Sequence, residues 1–363
     1  MKVAVLTALW YEDKFLPALF KSLEAVDYPI DDWEIVMIDN RNSEITRRWI
    51  ESNVKQKIGK TLPKFTLLPA GNDTGFAAGN NACMQHAIEN GAKAVFLLNE
   101  DAHGDKNFLR QAVGRLEADK DVAAVQSLIL LDPPENGVNS IGNCLHFLGF
   151  SYCDGYKMPR HDAIGYLRVK ALTNPKQRIA TASGAAVLFR ADALAVTGLF
   201  DESYHLYHED LDLSLRLREA GYDIVIEPSS IVFHRYEFGR STEKYYWMEK
   251  NRYRFILEHY QFLTIVVLFP AIIFSEIGLI IFGIMSGTLG ARLRAYGYIL
   301  DPRNWSEIME KREAVQRARR RTDREILESA VSSIGYQETK MPAMRVFNAL
   351  MAAYWAVAKH LIY

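Results

Sequence analysis

Apolar residues in the first 130 positions alternate between short continuous runs and stretches with helical spacing. In one such stretch Phe15, Leu16, Leu19, Phe20 and Leu23 recur on one face of a helix. Strands that are apolar throughout and separated by helices are typical of a mostly parallel sheet covered on both faces. We therefore predict an α/β fold, with strands at residues 2–9, 34–38, 64–68, 94–98 and 123–131.

The pattern changes after residue 131. Residues 132–178 are rich in Pro, Gly, Asn and Tyr and predict loops. Residues 181–234 form a second compact block, which predicts strands near 186–189 and 224–227.

Residues 211–220 fit two elements. Leucine alternates with polar residues there, as in a strand. A helix is favoured because Asp212 and Arg216 can pair across one helical turn, and because Gly221 follows where a helix would end.

The stretch at residues 262–290 contains a single charged residue, Glu276, and is long enough to cross a bilayer. Pro270 and the Ser275–Glu276 pair interrupt it near the middle, and basic residues flank both ends. A single span should have its basic excess on one side only. These features favour a hairpin that dips into the membrane, or a pair of interfacial helices.

A basic segment follows at residues 311–324, with seven basic and two acidic residues. Nearby apolar residues give it an apolar side, which predicts a basic helix lying on anionic lipid. The alternative is a core helix with a solvated basic face. The apolar side of the basic helix consists of Trp305, Ile308, Met309 and Val315. A last apolar stretch, residues 344–363, is expected on the same lipid surface.

The 363 residues carry a formal net charge of −1, and 49% of them are hydrophobic. This composition can bury a core and excludes a disordered chain, and the near-neutral charge argues against a nucleic-acid binder. Three widely spaced cysteines predict free thiols in a reducing compartment. The first residues match a buried strand rather than a signal peptide, so a cytoplasmic protein is expected.

Polar clusters follow the predicted strands, at the edge where open parallel sheets bind ligands. Asp39 and Asn40 come directly after residues 34–38, where an acid can accept from a nucleobase imide or a ribose hydroxyl. Residues 99–101, Asn-Glu-Asp, follow the run 94–98 and offer the oxygen ligands that Mg²⁺ or Mn²⁺ prefers. Ordinary turn chemistry is the alternative for both clusters.

A loop rich in glycine and asparagine occupies residues 71–81, between a strand and a helix. Small residues let the backbone approach a ligand closely, and a helix N-terminus favours anions. No Gly-Lys-Ser/Thr follows, so it is not a Walker loop. It is not a dinucleotide fingerprint either, since Trp10-Tyr11-Glu12 follows the first strand without a glycine.

The last cluster, residues 205–210, reads His-Leu-Tyr-His-Glu-Asp and matches no zinc-protease spacing. Asp210 beside a deep site is a natural general base for an alcohol, or else it only caps a helix. His234 ends the apolar run 231–233 and can complete a metal shell, although a structural histidine is the alternative.

In this order the clusters resemble an inverting family 2 glycosyltransferase of the GT-A fold, in its rhamnosyltransferase-like branch. The resemblance covers about residues 1–260 and rests on the combination of motifs rather than on any one of them. The matching positions are Asp39, residues 72–81, residues 99–101, Ser183-Gly184-Ala185, Glu209-Asp210, His234 and Arg240-Ser241.

The resemblance implies a role for each matching residue. Asp210, with Glu209 beside it, is implied as the catalytic base, and Asp101, Asn99 and His234 as metal ligands for Mg²⁺ or Mn²⁺. The implied nucleotide-sugar-binding residues are Thr7, Trp10, Glu12, Asp39, Asn40, Asn72, Gly75, Phe76, Gly79, Asn80, Asn99, Ser183, Gly184, Arg240 and Lys244.

Two departures from the family pattern bear on specificity. Arg41-Asn42 stands where the family has Gly-Ser after its Asp-Asn pair, which leaves the nucleobase open. The metal motif is Asn-Glu-Asp rather than Asp-x-Asp, so Asp101 is the favoured ligand and Asn99 the second. Glu100 is predicted to point away, because neighbours in an extended chain face opposite sides.

The resemblance implies a metal-dependent enzyme that moves a sugar, with rhamnose the sugar of this branch, from a dTDP-, UDP- or GDP-sugar to a hydroxyl of a lipid-linked or polysaccharide acceptor. A GT-A domain is expected over residues 1–260, with a nucleotide-binding half at 1–130 and an acceptor and catalytic half at 131–260. Membrane-associated helices follow at 261–363, on the cytoplasmic face of the membrane, or meet another subunit in a homo-oligomer. The alternatives are a non-catalytic nucleotide-binding membrane scaffold and a sugar nucleotidyltransferase.

Overall fold

The computed structural model describes residues 1–69, 75–132, 137–236, 242–335 and 342–363. Strands alternate with helices, which confirms the predicted α/β class. The strands are β1 Val3–Leu9, β2 Trp33–Asp39, β3 Lys64–Leu68, β4 Ala94–Leu98, β5 Ala102–Gly104, β6 Val122–Leu131, β7 Val138–Ser140, β8 Asn143–Leu145, β9 Ser151–Cys153, β10 Ala186–Arg190 and β11 Asp223–His234. The helices are α1 Leu16–Glu24, α2 Glu44–Asn53, α3 Gly75–Glu89, α4 Phe108–Glu117, α5 Arg160–Thr173, α6 Ala191–Thr197, α7 Glu209–Glu219, α8 Thr242–His259, α9 Phe262–Ser286, α10 Leu289–Leu300, α11 Pro302–Ala318, α12 Asp323–Leu327 and α13 Pro342–Ala358.

The central sheet has the strand order β3-β2-β1-β4-β10-β6-β11-β5. Strands β3, β2, β1 and β4 run parallel, and so do β6 and β11. Strand β10 pairs antiparallel with both β4 and β6, so β6 points the same way as β4. The predicted mostly parallel sheet is therefore confirmed, and the start of β10 lies at the same edge as the carboxyl ends of β4 and β6.

Apolar side chains bury both faces of this sheet, as the continuous apolar strands predict. In β4 the two sides alternate: Phe96 and Leu98 join one core layer with α1 and α4, while Val95 and Leu97 join the other with α3 and α7. Most of the predicted site residues lie at or beyond the ends of these strands.

Residues 209–219 form the helix α7, so the preference for a helix over a strand is confirmed. Asp212 Oδ2 lies 2.6 Å from Arg216 Nη2, the pair one turn apart that favoured a helix. The chain leaves the helix at Gly221, whose φ of 100° is a conformation that glycine adopts without strain.

Helix α9 runs without a break from residue 262 to residue 286, so the predicted interruption at Pro270 and Ser275–Glu276 is wrong. The reason is tertiary. The Glu276 carboxylate is bound by two cations and two phenols that come from α8 and α10, so the charge has no need to break the helix. Its partners are Arg252 at 2.5 Å, Tyr253 at 2.7 Å, Tyr296 at 2.7 Å and Arg292 at 3.3 Å.

The chain turns after α9, at Gly287 with a φ of 72°, and α10 packs on α8 and α9. Among the described residues α9 is the one helix that is long and apolar enough to cross a membrane. Its inner face contributes Leu268 and Ala271 to a third apolar cluster, which also holds Leu211 and Leu215 of α7. Helix α9 is therefore packed on the domain along one face.

The basic segment does not form the lipid-facing helix that was predicted. Ile308 and Val315, two residues of its expected apolar side, are buried against the protein, and only Trp305 and Met309 are exposed. Arg319 binds Glu219 and Asp323, and Arg321 binds Asp223. The alternative interpretation, a core helix with a partly solvated basic face, fits because these cations neutralise acids at the end of α7 and at the starts of β11 and α12.

Candidate active site

The carboxyl ends of β1, β2, β4 and β11 lie at one edge of the sheet. Asp39 is the last residue of β2, and His234 is the last residue of β11. Asn99 follows β4, and its backbone N–H donates to the carbonyl of Ala185, next to the start of β10, at 3.1 Å. The topology thus gathers residues from four distant parts of the sequence along this edge.

Asp101 and His234 form a contact pair. His234 Nε2 lies 3.2 Å from Asp101 Oδ1, and His234 Nδ1 lies 3.0 Å from Asn139 Oδ1 in β7. Donation from Nδ1–H to Asn139 leaves Nε2 with its lone pair directed at the space shared with the carboxylate. Such a pair fits a divalent cation.

The protein supplies few ligands at this position. Within the described ranges no group of three or more His, Cys, Asp or Glu side chains is placed to hold a metal. Hard cations such as Mg²⁺ and Mn²⁺ are commonly bound by one or two protein groups, with phosphate oxygens and waters completing the shell. The Asp101–His234 pair fits that mode of binding and does not fit a closed structural site.

Glu100 points away from Asp101, as predicted. Its carboxylate is 6% exposed and accepts from the backbone N–H groups of Trp10, at 2.8 Å, and Tyr11. Burial raises the pKa of Glu100 to about 7, and the negative charges of Asp101 and Asp39 add to the rise. Glu100 therefore fixes the turn after β1 that presents Trp10.

Asp39 and Asn40 are both buried at the end of β2. The Asp39 carboxylate accepts from the backbone N–H groups of Arg41, at 3.1 Å, and Ser43, at 2.7 Å. Asp39 therefore stabilises the turn after β2, which is the alternative to a nucleotide-binding role given in the sequence analysis. Asn40 Nδ2 donates to the carbonyl of Gly75 at 3.2 Å, which ties β2 to the start of α3.

The glycine-rich motif makes close contacts that explain its small residues. A Cβ placed on Gly79 would lie 2.9 Å from the Asn40 amide. Gly75 has a φ of 75°, and a Cβ there would meet His205 at 3.3 Å. Asn72 lies outside the described residues.

Asn80 and Phe76, two other residues of the glycine-rich motif, make contacts inside the protein. Asn80 Nδ2 donates to the carbonyl of Phe76 at 2.9 Å, one turn earlier in α3. The Phe76 ring packs against Phe200, with centroids 5.9 Å apart, and a Cβ on Gly184 would lie 3.2 Å from it. Phe76 thus borders the Ser183-Gly184 segment.

Asp210 lies in the first turn of α7, against the same segment. Its Oδ2 accepts from the Gly184 N–H at 3.2 Å, and its Oδ1 accepts from the Leu211 N–H at 2.8 Å. Burial raises the pKa of Asp210 while these amide bonds oppose the rise. The connection from Asp210 through Gly184 to Ala185 and Asn99 joins the base candidate to the metal candidate.

Glu209 has a different environment. It is 7% exposed, and its Oε2 has no hydrogen-bond partner among the described residues. Burial raises the pKa of Glu209 to about 8, so its protonated form dominates at neutral pH. Burial raises the pKa of both adjacent acids, and the negative charge of Asp210 adds to the rise at Glu209.

The remaining predicted site residues are Thr7, Trp10, Glu12, Lys244 and Arg240. Thr7 is buried in β1, and its hydroxyl has no partner in the described part of the chain. Trp10 is 37% exposed, and Glu12 has a φ of 58°. Lys244 is half-buried near the start of α8, and Arg240 lies outside the described residues.

Sequence reasoning missed three residues that hold this site. Glu100 fixes the Trp10 turn, Asn139 orients His234, and Asn251 of α8 donates from its amide to three carbonyls just before Asp210. The position of Glu100 inside the metal motif was a usable signal. Asn139 and Asn251 carry no local signal, because their roles depend on contacts between distant segments.

A model of the family described as glycosyltransferase like family 2 matches residues 2–255. The chain belongs to this family. A 76-residue segment is 37% identical to the N-acetylglucosaminyl-diphospho-decaprenol L-rhamnosyltransferase of Mycobacterium tuberculosis. The segment is 21% of this chain and spans 25% of that protein. Although partial, the match supports the rhamnosyltransferase-like branch.

Solved structures share the fold of this family 2 member. GalNAc-T7 with UDP, GalNAc and Mn²⁺ matches with a TM-score of 0.55 at 15% identity, covering 72% of this chain and 48% of that one. S. aureus TarS 1–349 in complex with UDP-GlcNAc matches with a TM-score of 0.51 at 12% identity, covering 99% and 91%. At these identities the likeness concerns the fold alone, and it confirms the predicted GT-A fold.

Proposed function

We propose that the protein is a metal-dependent inverting glycosyltransferase that moves a sugar from a nucleotide diphosphate sugar to a hydroxyl of a lipid-linked glycan acceptor. The sugar we propose is rhamnose, in keeping with the branch of the family. The observation that carries the proposal is the placement of the Asp101–His234 pair and of Asp210 along one sheet edge, joined through Gly184.

Asp101 and His234 would hold the cation, with Asn99 as a further ligand, and either Mg²⁺ or Mn²⁺ suits their oxygen and imidazole donors. When bound, the cation offsets the charge that develops on the departing nucleotide diphosphate. Asn139 keeps the His234 ring in the orientation that this requires, because it contacts the other ring nitrogen.

Asp210 would act as the base. The acceptor oxygen forms its bond to the anomeric carbon from the face opposite the diphosphate, the bond from that carbon to the diphosphate breaks, and the configuration inverts. The proton of the acceptor hydroxyl passes to an Asp210 carboxylate oxygen. The N–H groups of Gly184 and Leu211 keep this carboxylate oriented, while Glu209, protonated at neutral pH, does not compete for the proton.

The nucleotide-sugar pocket is proposed along the ends of β1 and β2 and the start of α3. Asp39, the turn at Trp10 and the Gly75–Gly79 segment would contact the nucleoside and diphosphate. The nucleotide of the donor is dTDP, UDP or GDP in this proposal. The other proposed contacts are Thr7, Glu12, Asn40, Asn72, Phe76, Asn80, Asn99, Ser183, Gly184, Arg240 and Lys244.

A panel of sugar nucleotides tests the donor proposal. We expect dTDP-, UDP- and GDP-sugars with Mn²⁺ or Mg²⁺ to be hydrolysed slowly in the absence of acceptor, with one nucleotide clearly preferred and chelator abolishing turnover. Nucleotide release is measured by chromatography. Binding without any turnover would support the alternative of a non-catalytic scaffold. Nucleotide synthesis from a sugar phosphate would support the nucleotidyltransferase.

We propose that the region from residue 261 onward holds the enzyme on the cytoplasmic face of the membrane, near its acceptor, as a unit following a GT-A domain at residues 1–260. The support is an exposed apolar surface on α9 and α13. Soluble monomers rarely expose large contiguous apolar patches. The exposed residues include Phe269, Ile273, Ile277, Ile281 and Ile284 of α9, and Val346, Leu350 and Val357 of α13.

Substitution on this surface is a sharper test than deletion, because the inner face of α9 packs against the domain. We expect the double variant Ile277→Glu/Ile281→Glu to lose flotation with phosphatidylglycerol-containing vesicles, and Val196→Glu, at another exposed apolar position, to retain it. Unchanged flotation of the double variant would contradict the membrane proposal. A change from dimer to monomer instead, seen by light scattering, would assign the surface to a second subunit.

A further inference from the structure

The segment that leads into Asp210 has an unusual backbone. His205, Tyr207 and His208 have φ values of 59°, 65° and 72°, in the left-handed region that residues other than glycine rarely occupy. Three such residues within four positions store strain, and such strain persists only where the surroundings over-determine the conformation. Something outside the segment must therefore hold it.

Asn251 of α8 provides that restraint. Its side chain is fully buried, and its Nδ2 donates to the carbonyls of Tyr204 at 2.8 Å, Leu206 at 2.9 Å and Tyr207 at 2.7 Å. Three carbonyls converge on this nitrogen and share its two N–H groups, and the amide oxygen cannot take that place, so the orientation of the amide is determined by its surroundings. The Asn251 side chain thus binds the main chain on both sides of His205.

Other groups of α8 hold the flanks of the same segment. Lys250 Nζ donates to the carbonyl of Ser203 at 3.2 Å, and the Tyr204 hydroxyl donates to Glu258 Oε2 at 2.8 Å. These contacts fix the entry to the segment. The side chains at its centre have their own contacts: the His205 ring packs on Trp247, with centroids 4.7 Å apart, and His208 Nε2 lies 3.3 Å from the Gly149 carbonyl. Asn251 differs from these contacts because it binds the main-chain carbonyls of the segment.

We propose that Asn251 is a positioning residue, which fixes residues 204–208 and through them holds the Asp210 carboxylate against the Gly184 amide. This inference rests on the proposed function, in which Asp210 accepts the acceptor proton. Without the amide, the carbonyls of Leu206 and Tyr207 lose this donor, the Tyr204 carbonyl keeps the Leu206 N–H, and the strain at residues 205, 207 and 208 is less opposed. The segment relaxes, and Asp210, two residues beyond it, moves with it.

The consequence for catalysis follows from geometry. A displacement of about 1 Å at a reacting group can cost on the order of 10²-fold in rate. Donor binding should change little, because the three carbonyls that Asn251 binds belong to Tyr204, Leu206 and Tyr207, none of which is a proposed nucleotide contact. We therefore expect Asn251→Ala to lower kcat by about tenfold or more, with the donor KM within about twofold of the wild-type value.

Hydrogen exchange gives a second readout that does not depend on activity. Amides of residues 203–209 should exchange at least about tenfold faster in Asn251→Ala, while those of β1, β4 and β6 keep their protection. Asn251→Ser retains one hydrogen-bond donor and should give intermediate values in both assays. His205→Gly relieves the positive φ at that position, so adding it to Asn251→Ala should restore part of kcat.

Tyr260→Phe is the matched control. Tyr260 follows α8, is 1% exposed, and its hydroxyl has no partner among the described residues, so the variant removes a buried polar group away from the segment. It should match the wild type in both assays. Wild-type kcat together with wild-type exchange in Asn251→Ala would overturn the proposal, and so would global loss of protection in both Asn251→Ala and Asn251→Ser. If the wild type turns over no sugar nucleotide, the proposed function fails, and the local exchange result still decides whether Asn251 holds the segment.

Discussion

His234 Nε2 lies 3.2 Å from Asp101 Oδ1, although one residue ends β11 and the other follows β4. The two strands are separated in the sheet by β10 and β6. The contact forms because Asp101 begins the turn into β5, which crosses to the far side of β11 and pairs His234 with Ala102. A short antiparallel strand thus carries the metal motif to the histidine.

This pair gives the first prediction. Asp101→Asn and His234→Ala should each raise the Mn²⁺ concentration needed for half-maximal nucleotide-sugar hydrolysis by about tenfold or more, because each removes a ligand. Asp31→Asn, which alters an exposed acid distant from the pair along the chain, is the control. Unchanged metal dependence in both pair variants would show that the cation binds elsewhere.

Glu209 gives a prediction about pH. Its folded-state pKa of about 8 lies above its value in an unfolded chain, so its protonated form stabilises the fold at low pH, and this contribution is lost as the pH rises through about 8. Glu209→Gln removes the titrating group. The variant should therefore gain stability relative to the wild type between pH 5.5 and pH 8.5, as measured by urea unfolding.

The exposed Glu51→Gln on α2 serves as the control for this experiment. Its stability difference from the wild type should stay constant over the same pH interval. If the difference between Glu209→Gln and the wild type is equally flat, the carboxyl is not held in its protonated form.

Gly79 gives a prediction about packing. An alanine Cβ at this position would lie 2.9 Å from the Asn40 amide, which itself binds the Gly75 carbonyl, so Asn40 must move. Gly79→Ala should destabilise the protein by about 1–3 kcal/mol and weaken nucleotide binding. Urea unfolding and nucleotide titration measure the two effects.

Gly114→Ala is the matched control, because Gly114 also lies in a helix, and a Cβ there meets nothing within 4 Å. It should stabilise the protein by about 0.5–1 kcal/mol through the helix propensity of alanine. Equal stabilisation by Gly79→Ala would mean that the close approach of Asn40 is not required.

The sequence was sufficient for the sheet and for much of the site. Strands that are buried on both faces are continuous apolar runs, and the parallel order places whatever follows them at one edge. Asp39, Asp101 and His234 could be predicted together on that basis. Helix α7 could be predicted because the Asp212–Arg216 pair is a local interaction.

The failures concern charges whose partners are distant in sequence. Nothing near Glu276 reveals that Arg252 and Arg292 will bind it, so the apolar helix was expected to break there. The same holds for Arg319, which meets Glu219 instead of lipid. The positioning role proposed for Asn251 also depends on tertiary contact alone, and no spacing rule identifies it.

The most direct measurement of the central claim compares acceptor-dependent transfer with nucleotide-sugar binding in Asp210→Asn. The substitution keeps the shape of the side chain and removes the charge that accepts the proton. We predict that transfer falls by about 10²-fold or more while donor affinity stays within a few-fold of the wild-type value. Transfer close to the wild-type rate, with donor binding intact, would contradict the assignment of Asp210 as the base.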